Sequence, residues 1–343
     1  MRVPGPLQMA RFRVEVKARE FLRLPPYKGS AMRGALGHAL SRVGCFCPVP
    51  RVDIEHRDDC VYRHLFEPVA SKGEHGPRGL KAVPQPFVLE PPTDARTEYT
   101  PGEMFAFDFL LIGKAIPYLP YFLAAIEVMG FQGIGKGKGR YRIERLLKVD
   151  AAGSAAPLDL SRLLLEGDSK DVHTADDVCR AHPCPSPLQM VTLDFITPAR
   201  LKFGNHLCDA PEFHVLFRNL ARRISLLSYF HCGGEWRQSI AEEIRMAEEV
   251  KVVRNALNWN DWRRYSNRQE EEMYLGGFMG RLGFRGDLES FWPYLLLGSH
   301  LHVGKGATFG LGKYVIQTLP GLPPEASTRS KTSLPDRGTS ERA

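Results

Sequence analysis

Charged and apolar residues alternate at the start of the chain. Phe12, Val14 and Val16 interleave with Arg11, Arg13 and Glu15, the period of two that a half-buried strand shows, so a strand is expected over 9–16. The period then changes. Gly29 and Ser30 open a segment in which Met32, Leu36, Ala39, Leu40 and Val43 share one helical stripe, closed by Gly44, and a helix is expected over 31–43. Residues 45–101 are rich in proline, glycine and charge and read as an irregular excursion with short strands near 61–66 and 87–89. A strand over 103–112, a helix over 117–129 with proline in its first turn, and a strand over 141–149 complete the first half.

Periodicity fades over 151–187, which reads as a linker with some local helix, and then restarts. A strand is expected over 188–196 and a long amphipathic helix over 212–230, carrying Arg218, Arg222 and Arg223. Successive strands over 250–256, 259–268 and 273–284, a helix over 288–298 and a strand over 313–318 follow. Beyond residue 320 almost nothing is apolar, and disorder is expected over 320–343. The class is α+β. In the first half, strand, helix, strands, helix, strand is the order of a ferredoxin-like module.

A repeat sharpens the division. Gly137-Lys138-Gly139-Arg140-Tyr141-Arg142-Ile143 and Gly310-Leu311-Gly312-Lys313-Tyr314-Val315-Ile316 share Gly-x-Gly, a base, Tyr, any residue, Ile, and lie half a chain apart. Each follows a helix-like stretch and leads into a strand. Clustered glycine N–H groups beside lysines suit phosphates, and a net charge of +7 over 343 residues favours a polyanionic partner. No apolar run reaches membrane-spanning length, and the first ten residues hold no apolar signal core, so a cytoplasmic protein without a membrane partner is expected. Seven cysteines, an odd number, suggest free thiols or a metal site in a reducing compartment.

Four segments, residues 27–40, the first glycine loop, residues 262–269 and residues 302–312, resemble the RAMP superfamily, specifically the CRISPR-associated endoribonucleases that process precursor CRISPR RNA. The resemblance implies two tandem ferredoxin-like (RRM-like) domains with glycine-rich loops. These would be an N-terminal domain over 1–150 with the Cys-containing insertion at 45–101, a linker over 151–187, a C-terminal domain over 188–319 and a tail over 320–343. It also implies metal-independent cleavage within CRISPR repeats, in which a ribose 2′-OH attacks the adjacent phosphate and leaves a 2′,3′-cyclic phosphate. No cofactor would be needed for cleavage. The partners implied are CRISPR repeat RNA and other CRISPR effector subunits. The alternative within the family is a non-catalytic RAMP RNA-binding subunit of an effector complex. A nucleotide-cradle enzyme is disfavoured, because neither loop has the Gly-x-x-x-x-Gly-Lys-Ser/Thr or strand-first Gly-x-Gly-x-x-Gly arrangement.

His38 is the first catalytic candidate. It lies about 160° around the helix from Leu36 and Leu40, off the apolar stripe, and Arg42 one turn on would favour a neutral imidazole able to accept a 2′-OH proton. Tyr27 and Lys28 precede that helix, and a lysine there could stabilise a pentavalent phosphorane. His206 and His231 are weaker acid/base candidates, and His300 and His302 flank the second loop, where they contact RNA or fill space. RNA-backbone contacts are expected from Arg33, Arg42, Lys136, Lys138, Lys305 and Lys313, from Gly304, Gly306, Gly310 and Gly312, and from Arg264 and Arg268 among Trp259, Trp262 and Tyr265. Cys45, Cys47 and Cys60 form a candidate structural metal site, with His56 or His64 as a fourth ligand and packed thiols as the plainer reading. Cys179 and Cys184 around His182 are a weaker set.

Overall fold

The computed structural model describes residues 5–47, 56–70, 77, 80, 82–158, 172–204, 206–236, 239–261, 263–266, 271–274 and 276–317. The first half is built from β1 (Gln8–Ala18), α1 (Gly29–Val43), β2 (Phe87–Glu90), β3 (Met104–Ile112), α2 (Leu119–Gln132) and β4 (Tyr141–Val149). Its sheet runs β2-β3-β1-β4, with the short strands Ala155–Pro157 added on β4 and His173–Thr174 on β1, every pair antiparallel. The second half repeats the plan with β5 (Met190–Ala199), α3 (Phe213–Cys232), β6 (Lys251–Asn260), β7 (Gly277–Arg285), α4 (Trp292–Leu301) and β8 (Tyr314–Gln317), in the order β6-β7-β5-β8. Both sheets therefore run second, third, first, fourth strand, with a helix after the first strand and after the third.

The alternation in β1 sets the layers. Phe12 and Val14 pair with Phe109 and Phe107 across β3 and face the helices, and Phe109 stacks on both Phe12 and Phe122 of α2. The opposite face carries Arg11 and Arg13, with Asp108 directly across from Arg13. At the Ile112 end of β3 both faces are covered, because Met9, Val88, Leu110 and Ile112 join Leu193, Phe195, Leu220 and Ile224 in the core of the second half. That shared core buries apolar area from both sheets at once and fixes the two halves against each other.

Several elements differ from the sequence pattern. Residues 61–66 form a helix, Val61–Phe66, which buries Val61, Leu65 and Phe66 at helical spacing although valine and aromatics there suggest a strand. A helix at Ala241–Glu249 and the hairpin Leu201–Phe203/His206–Cys208 are additional. In the linker, Ala175–Ala181 is a helix with a capping box between Thr174 and Asp177. The strands expected over 250–268 become β6, continuous to Asn260, and a separate hairpin Arg263–Ser266/Glu271–Tyr274. The tail expected to be disordered lies outside the described residues.

Candidate functional site

A cleft of about 1140 Å³ opens between the two halves. One wall is α1, contributing Arg33, Gly37 and His38; the others are Tyr62, the segment 92–95, and residues 196–198 with Asn260 and Met279 of the second half. The apolar stripe of α1 is buried in the first core, which turns His38 outward, exposed, onto the cleft. Arg33 lies on the same wall, its guanidinium stacked 4.5 Å from the Phe66 ring and 5.0 Å from the Phe309 ring. Stacking of this kind holds a long cation in one place. Arg42 is exposed one turn beyond His38.

Tyr27 and Lys28 sit at the start of α1 in structural positions. The Tyr27 hydroxyl donates to the Phe309 carbonyl oxygen at 2.6 Å, and burial, then the charge of Glu90, pushes its pKa far above the ordinary phenol value. It therefore stays protonated. Lys28 is fully buried; its ammonium donates to the Asp94 backbone oxygen at 2.7 Å and pairs with the Asp94 carboxylate at 3.1 Å. The expectation of a phosphorane-stabilising Lys28 gives way to one that anchors the 92–95 wall, since a fully enclosed ammonium cannot reach a ligand in the cleft.

The end of the second glycine loop, residues 310–312, is buried between the halves. Gly310 and Gly312 are buried, and a side chain at Gly310 would meet Pro91 and the Leu89 carbonyl, while one at Gly312 would meet the Val303 carbonyl. Gly304 is bridged to Arg200, and Gly306 faces Leu311. Thr197 ties the loop down, donating to the Gly310 oxygen at 2.8 Å and accepting from the Lys313 N–H at 2.8 Å. Gly310 and Gly312 are thus required by backbone packing, which corrects their assignment to phosphate contact. Lys313 is also reassigned: its ammonium bonds the buried carboxylate of Glu90. Lys305 is exposed.

Glu90 is the centre of a buried charge cluster that the sequence reading missed. Its carboxylate accepts from Arg11 at 2.6 Å, from His302 Nε2 at 3.3 Å and from Lys313, while Arg11 and Arg13 also bond Asp108. Burial alone would push the Glu90 pKa up, but the His302 hydrogen bond and the Arg11, His302 and Lys313 charges overcome it and hold the carboxyl far below the usual range. Burial lowers the His302 pKa despite the pull of Glu90. His302 is fully buried, with Nδ1 against the Leu311 oxygen at 3.2 Å, and so fills space between the loop and Glu90. A lone Asp108 inside an apolar strand, opposite two arginines, was the available signal.

The first glycine loop is different. Lys136 and Lys138 are exposed, Lys138 in the left-handed region at φ 51°, and Gly137 faces open space. His231 is buried and bonds the Pro84 oxygen at 2.7 Å, which removes it from acid/base chemistry in the cleft; His206 is exposed on the hairpin beside α3. Arg264 has a described backbone in the 263–266 strand, and Arg268 and Trp262 lie outside the described residues. Cys45, Cys47, Cys60 and His56 form the group that could hold a metal among the described residues. His64 stacks on Tyr118 instead, and His182 bonds the Ala151 oxygen at 3.0 Å.

These features define a protein of two main antiparallel sheets with a cleft between its halves that carries Arg33, His38 and Asp94. Residues 7–176 match the N-terminal domain model AF_1859_N, and residues 193–314 match the model for the CRISPR-associated endoribonuclease Cas6. Among solved structures, a partial Cas6-RT-Cas1–Cas2 complex is similar at 14% identity with a TM-score of 0.60, over 92% of this chain and 47% of that one. This chain thus spans about half of that relative. A Cas6 product complex (17% identity, TM-score 0.51, 90% of this chain and 100% of that one) and Thermus thermophilus Cas6 (16%, 0.51, 92% and 100%) share the fold. No curated protein sequence matches. Residues 193–314 thus resemble the Cas6 endoribonuclease family, and the chain shares the fold of Cas6 structures. Among the described residues no helix is long and apolar enough to cross a membrane.

Proposed function

We propose that the chain is an endoribonuclease that cuts precursor CRISPR RNA within its repeats. The observation that carries this reading is the exposure of His38 on the wall of the interdomain cleft, off the buried stripe of α1. In this reading His38 takes the proton of a ribose 2′-OH. The 2′-oxygen then attacks phosphorus, the bond to the 5′-oxygen breaks, the leaving oxygen takes up a proton, and a 2′,3′-cyclic phosphate remains. Charge develops on the phosphate, and Arg33, on the same wall, replaces Lys28 as the group placed to stabilise it. Arg42, Lys136, Lys138 and Lys305, all exposed, would track the RNA backbone.

No divalent ion enters this chemistry, and the Cys/His group would serve structure only. The repeated strand order supports two tandem ferredoxin-like domains, with boundaries near 150 and 188 and the Cys-containing insertion at 45–101 in the first. A cytoplasmic location goes with this reading. The similarity to a partial Cas6-RT-Cas1–Cas2 complex supports other CRISPR proteins as partners.

The test is single-turnover cleavage of repeat RNA. His38→Ala should slow it about a hundredfold or more with affinity kept. Cleavage should persist in EDTA and stop when one deoxyribose precedes the scissile phosphate. RNA binding by the wild type without any cleavage would favour the non-catalytic RAMP subunit, and cutting of the deoxy-substituted RNA would refute the mechanism.

A further inference from the structure

The thiols beyond α1 are arranged around a point. Cys45 and Cys47 follow the end of α1, Cys60 caps the helix Val61–Phe66, and His56 closes the group. His56 Nδ1 stands 3.5 Å from the Cys45 Sγ, 3.4 Å from the Cys47 Sγ and 3.6 Å from the Cys60 Sγ. All four ligand atoms lie within 4.8 Å of one another. Around a tetrahedral zinc, with bonds of about 2.3 Å to sulfur and 2.0–2.1 Å to nitrogen, nitrogen and sulfur ligands stand about 3.5–3.6 Å apart. The spacing therefore matches a Cys3His shell. All seven cysteines are free, so no disulfide accounts for the convergence.

Two further observations point to an ion. First, the other ring nitrogen of His56 faces Glu67, Nε2 to Oε2 at 3.6 Å, the outer carboxylate that commonly orients a metal-bound histidine through its second nitrogen. Second, the small core here consists of the three cysteines, with Tyr62 packed against them. Val61, Leu65 and Phe66 are held by the main core, but three thiols and one ring bury little apolar area, too little to fix residues 45–47 and 56–60 by packing alone. Phe46, between two inward-facing cysteines, is 78% exposed, as expected when its neighbours both turn toward an ion.

We propose that Cys45, Cys47, His56 and Cys60 bind one zinc ion. Four protein ligands leave no open position, so the ion is structural. It joins the end of α1 to the helix Val61–Phe66, and Tyr62 carries its effect to the cleft. Tyr62 lies 5.4 Å from the His56 ring, stacks on Phe66 at 5.5 Å and lines the cleft wall.

The experiment reads metal content and stability, so it does not depend on the cleavage reading. Protein purified without chelator or added metal is assayed for zinc by mass spectrometry, then stripped and titrated with zinc or cobalt. About one zinc per chain is expected, with removal lowering the melting temperature by roughly 5–10 °C or more. Cobalt should give tetrahedral ligand-field bands and thiolate charge transfer. Cys60→Ser and His56→Ala should lose the ion, and Cys179→Ser should keep it. Because Cys60→Ser could fail to fold, the wild-type cobalt spectrum decides independently. Metal-free protein whose melting curve ignores equimolar zinc overturns the site, as does full zinc content in His56→Ala or a cobalt spectrum without thiolate bands.

Discussion

Glu90→Gln separates the two roles open to the second glycine loop. In the wild type the Glu90 carboxylate, 4% exposed, binds Arg11, His302 and Lys313 and so joins β2 of the first half to the loop of the second. Glutamine keeps the shape and removes the charge. Breaking a buried ion pair by deleting one partner costs about 3–5 kcal/mol. Two features reduce that here. Arg11 keeps Asp108 at 3.0 Å, and Lys313, 21% exposed, can turn its ammonium toward water. About 2–4 kcal/mol is therefore expected, or roughly 3–6 °C in melting temperature for a chain of this size. Urea unfolding of Glu90→Gln, Lys313→Met and the double variant gives the coupling directly. The acid limb checks the sign. A depressed folded pKa means the Glu90 contribution is present above the ordinary value of 4.5 and lost as pH falls toward the folded value, so Glu90→Gln should flatten the acid limb. No coupling in the cycle, together with a Lys313→Met variant that is fully stable but binds RNA weakly with a flatter salt dependence, would refute the bolt and restore Lys313 to RNA.

Three further outcomes are expected. Lys136→Ala with Lys138→Ala should leave the melting curve unchanged and reduce the salt slope of repeat-RNA binding by roughly one to two, read by filter binding across a salt series. Gly310→Ala, at φ 83° and facing the Leu89 oxygen, should destabilise by about 3 kcal/mol or more, whereas its counterpart Gly137→Ala, at φ 85° with open space around it, should cost only about 1 kcal/mol, as denaturant midpoints will show. His300, whose pKa burial and then Arg11 lower to about 4, contributes stability that is complete above 6.5 and lost as pH falls toward 4. The wild type should therefore lose about 2 kcal/mol more than His300→Gln between pH 7 and pH 5, measured by urea unfolding.

The elements legible in the sequence were those whose own period states their burial. β1 and α1 could be placed because each buries one face in its own core, and that same stripe put His38 on the outside. The short helix Val61–Phe66 could not, since six residues with valine and aromatics carry too few turns to outweigh their strand preference. The metal-site expectation reached Cys45, Cys47 and Cys60 but left His56 and His64 level, because spacing along an irregular segment does not say which ring folds back; proximity to the three sulfurs and Glu67 selects His56. The glycine loops show the deeper limit. Gly137 and Gly310 occupy equivalent places in a repeat and share a positive φ, yet one faces solvent and the other Leu89 and Pro91. Backbone geometry is encoded locally and so repeats with the sequence. Whether the concave backbone then meets a phosphate or another strand depends on what the opposite half presents, and here the first sheet presents Glu90. The lysine after the second loop is consequently paired with Glu90, while Lys136 and Lys138 of the first loop remain on the surface, so two copies of one motif carry their charge to different places.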